Sequence, residues 1–202
     1  MRRPSYPFAS QSSSQSKSFS RNIFLVGMMG AGKTSVGRLM AKRLGKMFYD
    51  SDQAIESRTG VKIPVIFDVE GEAGFRQREC AVIEELSGLE GIVLATGGGA
   101  VLNERNREFL RSRGVVVYLR ASVQDLWNRT RQDKNRPLLR TADPRARLAE
   151  LHAQRDPIYH ELAHVTIDTG RQSLRSLVER LEYRLTSSQG ASPEAQAGMQ
   201  GT

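Results

Sequence analysis

From Gly27 to Thr34 the chain reads Gly-Met-Met-Gly-Ala-Gly-Lys-Thr, the G-x-x-x-x-G-K-[ST] spacing. An apolar run, Ile23-Phe24-Leu25-Val26, precedes it, and a segment of helical periodicity follows. Strand, glycine loop and helix in that order make a cradle for phosphate. The glycines let backbone N–H groups curl around phosphate oxygens, and the new helix adds its positive end. Gly30, Ala31, Gly32 and Ser35 are therefore candidate phosphate contacts. Lys33 reaches for the β- and γ-phosphates, and the hydroxyl of Thr34 suits Mg²⁺. The segment predicts binding of a nucleoside triphosphate.

A metal at such a loop needs acidic help, and the usual acid after a central apolar strand is missing. Ile92-Val93-Leu94-Ala95 runs instead into Thr96-Gly97-Gly98-Gly99. The first acids in the chain are Asp50 and Asp52, expected at the end of a second strand, where alternation puts both on one side of an extended segment. One would support hydrated Mg²⁺, and the other would hold an acceptor hydroxyl and take its proton. The competing reading is a polar turn in which Asp52 caps a helix over 53–58.

Gly97, Gly98 and Gly99 either present N–H donors to a small polar substrate or form a plain turn. Their spacing does not fit G-x-G-x-x-G, which excludes a dinucleotide fingerprint. Arg76, expected at the start of a helix, and Arg155, after an irregular stretch, are each able to grip a carboxylate bidentately or to serve as ordinary ion-paired arginines. Arg136 lies in 132–143, QDKNRPLLRTAD, a break in periodicity that reads as a mobile loop. There a cation either closes over the transferring phosphate or is merely solvated. His160 and His164 are four apart, but Val165 opens a strand-like run, and no Cys or carboxylate set completes a zinc site.

Elements must position these groups. Besides the runs at 23–26 and 92–95, Val115–Leu119 and Val165–Ile167 are continuously apolar, and Met47–Tyr49 is a weaker fifth candidate. Continuous rather than alternating runs belong to parallel strands covered on both faces. Val36, Leu39, Met40 and Leu44 mark a helix closed by Gly45, and Val82, Ile83, Leu86 and Leu89 mark another. Further helices are predicted over 102–113, 122–131, 144–162 and 173–186. Strands alternating with helices predict an α/β sandwich whose ligands gather along one carboxyl edge of the sheet.

The expected folding unit is 21–186. Residues 1–20 and 187–202 are rich in Ser, Gln, Gly and Ala, carry few apolar residues, and are expected to be disordered. One cysteine, Cys80, excludes an intrachain disulfide framework and reads as a small buried apolar group. No apolar run approaches the ~20 residues of a membrane span, and no apolar core follows Arg2 and Arg3 as in a secretory signal. The expectation is a cytoplasmic protein. The net charge is +8, and no acid occurs before Asp50. A nucleic-acid face, a transit peptide and a tail on an enzyme of anionic substrates all fit that imbalance, and the last is favoured. Few aromatics interleave with the basic residues, so base stacking has little support.

The segments GMMGAGKTSVGRLMA (27–41), DSD (50–52), IFDVEGEAGFRQRE (66–79), ATGGGAV (95–101), NRPLL (135–139) and RDPIY (155–159) occur here in the order of the shikimate kinases, P-loop kinases related to the nucleoside monophosphate kinases. The chain resembles that family from about Asn22 to Leu185. The resemblance implies a three-layer sandwich with a five-stranded parallel sheet of order 2-3-1-4-5, a substrate-binding region over about 52–90 and a lid over about 131–143. It implies an ATP-dependent transferase that phosphorylates the 3-hydroxyl of shikimate in aromatic amino-acid biosynthesis; a monomer is expected, with ATP and shikimate as partners and no nucleic acid or membrane. By that resemblance Asp52 holds the accepting hydroxyl as base, and Asp50 supports Mg²⁺ through water. Arg76 and Arg155 grip the carboxylate, Glu79 orients Arg76, and Gly98 touches ring hydroxyls. Arg136 swings in from the lid, while Arg129 lies against the adenine. Pro64 departs from the family pattern and places the start of its helix at or after residue 64.

Two rivals follow from the same residues. A related kinase of another acidic polyol, such as gluconate, would also use a P-loop and arginines. A non-catalytic nucleotide-binding module would tolerate loss of the acidic pair or of the lid arginine, and this chain keeps them.

Overall fold

The computed structural model describes residues 19–133, 136–170 and 172–187. Five strands form one parallel sheet: β1 (Asn22–Val26), β2 (Met47–Asp50), β3 (Ile92–Ala95), β4 (Gly114–Arg120) and β5 (Val165–Asp168), in the order β2-β3-β1-β4-β5. β1, β3 and almost all of β4 are buried, as their unbroken apolar runs require. β2 and β5 are the sheet edges and only partly covered, which is why β2 gives a weak signal in the sequence.

The described residues also form seven α-helices: α1 (Lys33–Leu44), α2 (Ser51–Thr59), α3 (Ile63–Ser87), α4 (Glu104–Arg113), α5 (Val123–Thr130), α6 (Pro144–Leu162) and α7 (Leu174–Ser187). α1 packs against β1, β2 and β3 and beside α7, while α3 packs on α4, which lies against β4. Helices thus cover both faces of a P-loop-type sheet. Gly45 ends α1 in the left-handed conformation, as its position after Leu44 predicts.

Four expectations are corrected. The packed unit begins before residue 21, because Phe19 is 3% exposed within the core and its ring lies 6.0 Å from Nζ of Lys46. The remainder of the expected disordered ends, 1–18 and 188–202, lies outside the described residues, as do Lys134 and Asn135 of the lid and Arg171. Asp52 does not follow Asp50 along an extended segment, and it does not cap a helix. Asp50 is itself the cap, its Oδ1 accepting from the N–H groups of Asp52 and Gln53 at 3.1 and 3.3 Å, so the chain turns into α2 at Ser51. Asp52 stands in the first helical turn instead.

α3 starts at Ile63, one residue before Pro64, which fits because a first-turn residue needs no N–H for the helix. Arg76 is not at a helix start. α3 runs on through it after a break at Gly71 (φ 69°, ψ −179°), and Arg78 spans that break with two bonds to Glu70 at 2.7 and 2.8 Å.

Candidate active site

The carboxyl ends of β1, β2 and β3 open onto two adjoining cavities of about 210 and 340 Å³. The smaller is lined by Gly30, Gly32, Lys33, Thr34, Ser35 and Asp50, and the larger by Arg76, Glu79, Arg155 and the three glycines after β3. Met29, Asp52, Gly98 and Arg136 line both. Anything passed between the two must pass these four residues.

On the phosphate side, Gly32 caps α1 with φ 94°, a left-handed conformation that a side chain would strain. Gly32 and the first residues of α1, Lys33 to Ser35, line the smaller cavity. The Lys33 ammonium donates to the carbonyls of Gly27 and Met28 at 2.8 and 2.9 Å. An ammonium carries three donors, so one is left for an anion. Burial pushes Lys33 down to about 8, against the opposing pull of Asp52 and Asp50. An arriving phosphate would restore the charge that burial disfavours.

Thr34 Oγ1 donates to Asp50 Oδ2 at 2.7 Å, which brings a hydroxyl and a carboxylate oxygen together beside the cradle. Two hard oxygen donors with room for phosphate and water suit Mg²⁺, which keeps several of its waters. Among the described residues no group of three or more His, Cys, Asp or Glu is placed to hold a metal by itself. His164 is engaged elsewhere, its Nδ1 accepting from the N–H of Val116 at 3.0 Å.

On the acceptor side, Glu79 and Arg155 are buried and Asp52 is half-buried. Each has a polar atom that is shut off from solvent without a partner: Oε1, Nε and Oδ1 respectively. Burial pushes the Asp52 carboxyl up to about 7, helped by the negative charges of Glu79 and Asp50. Burial also raises Glu79, although Arg76 opposes the shift through a 2.6 Å bond from Nη1 to Oε2. Arg76 is held on its other edge by Glu72, with Nη2 to Oε1 at 2.8 Å. Burial lowers Arg155.

The glycine after Thr96 is needed for space. A Cβ on Gly97 would run into Oε1 of Glu79 and stand 2.8 Å from Oδ1 of Asp52. Both carboxylates therefore close directly over that backbone. The Gly97 N–H donates to the buried Ser51 hydroxyl at 2.9 Å, tying the loop to the start of α2. Phe67, Phe75 and Leu138 give the larger cavity apolar walls.

Most residues singled out from the sequence converge here. Arg136 bonds Asp133 through Nε at 2.8 Å and faces both cavities. Ala31 and Arg129 line neither cavity. The Ala31 N–H donates to Met28 O at 3.1 Å, and the Arg129 guanidinium clamps the P-loop to the turn after β5, bonding Gly30 O at 3.2 Å and Thr169 O at 2.8 Å. Ser51 and Tyr159 join the site without a role assigned from residue types alone. Tyr159 is legible in principle, since it lies four residues after Arg155 on the same helical face. Nothing local marks Ser51.

The profile of the family described as shikimate kinase matches residues 29–186. The shikimate kinase of Thiobacillus denitrificans is 65% identical over 164 residues, covering 81% of this chain and 90% of that one. The shikimate kinase of Nitrosospira multiformis is 61% identical over 165 residues, covering 82% and 85%. Among solved structures, the shikimate kinase of Acinetobacter baumannii in complex with shikimate aligns with a TM-score of 0.82 at 50% identity, over 83% of this chain and 94% of that one.

Proposed function

The chain belongs to the shikimate kinase family and is an ATP-dependent kinase of the shikimate pathway, and on that footing we propose how its residues divide the transfer of the γ-phosphate to the 3-hydroxyl of shikimate. The observation that carries the reading is a pair of buried, unpartnered polar atoms of opposite character in one cavity, Asp52 Oδ1 and Arg155 Nε. A molecule bearing both a hydroxyl and a carboxylate satisfies the two together.

Arg155 and Arg76 hold the carboxylate, with Glu79 and Glu72 fixing the plane of the Arg76 guanidinium. Gly97, Gly98 and Gly99 offer backbone to the ring hydroxyls. Asp52 receives the 3-hydroxyl, aligns its oxygen with the γ-phosphorus, and takes its proton as the new P–O bond forms. ADP leaves as the bond between the γ-phosphorus and the bridging oxygen breaks. Gly30, Gly32, Ser35 and Lys33 cradle the phosphates, with Ala31 and Arg129 shaping that loop from outside the cavity. Arg136 stands where both cavities meet and neutralises charge on the transferring group. Thr34 and Asp50 would hold Mg²⁺, Asp50 through water. When bound, the ion offsets charge on the β- and γ-phosphate oxygens.

The reading takes a monomer in the cytoplasm, with ATP and shikimate as its small-molecule partners. Among the described residues, no helix is long and apolar enough to cross a membrane.

The test is ADP formation from Mg²⁺-ATP with shikimate and, separately, with gluconate. Strong stimulation by shikimate alone is expected; stimulation by gluconate, or ATP binding without turnover on either, would replace the acceptor or the activity. In the same assay Arg76→Ala is expected to raise the shikimate KM by roughly 10- to 100-fold, the loss of a charged hydrogen-bonding partner. The ATP KM should stay within about twofold. An equal rise in both would remove Arg76 from carboxylate recognition.

A further inference from the structure

α6 carries Arg155 and Tyr159 one turn apart on the same face, 2% and 0% exposed. The Tyr159 hydroxyl makes two connections. It donates to the carbonyl of Gly98, 61 residues away in the chain, and it lies against the Arg155 guanidinium. A Cβ on Gly98 would stand 3.8 Å from Nη1 of Arg155 and 3.4 Å from the N of Met29, so the three elements are already in close register.

The ring of Tyr159 is fixed from the sheet. It stacks on Tyr118 of β4 with centroids 4.9 Å apart and planes at 27°. The Tyr118 hydroxyl donates at 2.5 Å to Oδ1 of Asp156, the residue after Arg155. β4 thus holds α6 at two points just beyond the arginine. Burial pushes the pKa of both tyrosines above the ordinary phenol range, so each hydroxyl keeps its proton to donate. A buried hydroxyl whose proton is committed to a backbone carbonyl is a rigid link.

We propose that Tyr159, held by Tyr118, is the positioning residue that sets the span between Arg155, which grips the acceptor's carboxylate, and Gly98, which meets its hydroxyls. The two anchors sit on different elements, one on α6 and one on the loop after β3, and the Tyr159 hydroxyl is the short path between them. An acceptor whose carboxylate and hydroxyl match that span satisfies both anchors at once. One that does not leaves a buried charge or amide unpaired, which is a steep discrimination. The inference rests on the roles proposed above for Arg155 and Gly98.

Tyr159→Phe keeps the ring and its stacking and deletes only the hydroxyl. Steady-state kinetics of the full chain are expected to show the shikimate KM raised roughly 3- to 10-fold, the range of one net hydrogen bond, with the ATP KM within about twofold. Arg155→Lys, measured alongside, tests the underlying role. The double variant Tyr159→Phe/Arg155→Lys should lose less than the product of the single effects, since both changes break the same link.

An unchanged shikimate KM in Tyr159→Phe, an equal rise in the ATP KM, or fully multiplicative effects would overturn the positioning role while leaving that of Arg155 standing. A normal shikimate KM in Arg155→Lys would instead overturn the carboxylate reading, and this inference with it. Where Tyr159→Phe yields no folded protein, Tyr118→Phe carries the test. It frees Asp156 from β4 and should raise the shikimate KM in the same selective way, and an unchanged value would overturn the proposal.

Discussion

Asp52→Asn is expected to leave ATP affinity within about twofold while lowering kcat by about 10²- to 10⁴-fold, the usual contribution of a positioned general base. The side chains are nearly isosteric, so the first turn of α2 and the packing over Gly97 should persist. What disappears is the acceptor for the hydroxyl proton. Equilibrium nucleotide titration and single-turnover phosphoryl transfer separate the two effects, and near-normal turnover would remove Asp52 from its role.

The pH dependence gives a second handle on the same residue. Asp52 works ionised and is pushed up to about 7, so kcat/KM for shikimate should fall below that pH. Lys33 works protonated and is pushed down to about 8, so a second limb should appear above it. Because the two groups interact, these limbs belong to the pair. The acid limb should vanish in Asp52→Asn.

Stability should move the other way. A carboxyl raised from its unfolded value near 3.8 keeps a proton in the folded state that the unfolded chain has lost. Stability attributable to it therefore declines as pH rises from about 4 to about 7, and the ionised form is the costly one. At pH 8 Asp52→Asn should consequently melt no lower than the parent protein. A variant inactive through misfolding would melt lower.

Arg136→Ala is expected to reduce kcat by about 10²- to 10³-fold, the measured scale for removing one donor aimed at developing charge. Arg136 faces both cavities and is bonded to Asp133, so its guanidinium is placed at the junction rather than in either binding subsite. The loss should therefore fall on turnover more than on either KM. Arg136→Lys keeps the charge without the planar fork and should recover only part of the rate. A large rise in the ATP KM with unchanged kcat would assign Arg136 to nucleotide binding instead. The side chain is partly exposed, so neither variant should alter the melting temperature by more than a few degrees.

Much of the phosphate side is legible in the residue order. The P-loop is contiguous, so strand, turn and helix signals in about twenty residues specify both its conformation and its chemistry. For the acidic pair, residue order gives the location and misses the geometry. Strand alternation would align the two acids, whereas Asp50 satisfies the first N–H groups of α2 and bends the chain between them. Arg76 follows a glycine break inside α3 that looks in sequence like a new helix start. Pro64 looks like a barrier to helix and sits in the first turn of one.

Local patterns are enough to specify a parallel α/β sheet, a phosphate cradle after its first strand, and the residue types available to meet a carboxylate and a hydroxyl. Unbroken apolar runs mark doubly covered strands, 3.6-residue stripes mark helices, and glycines fall where the backbone must turn. Which of those residues meet is settled at the tertiary level. Glu79 and Asp52 close over Gly97, and Tyr159 reaches Gly98, because β3 lies between β2 and β1 and α6 docks beside β4. Contacts across such distances in the chain are set by strand order and packing. No window of neighbouring residues contains them.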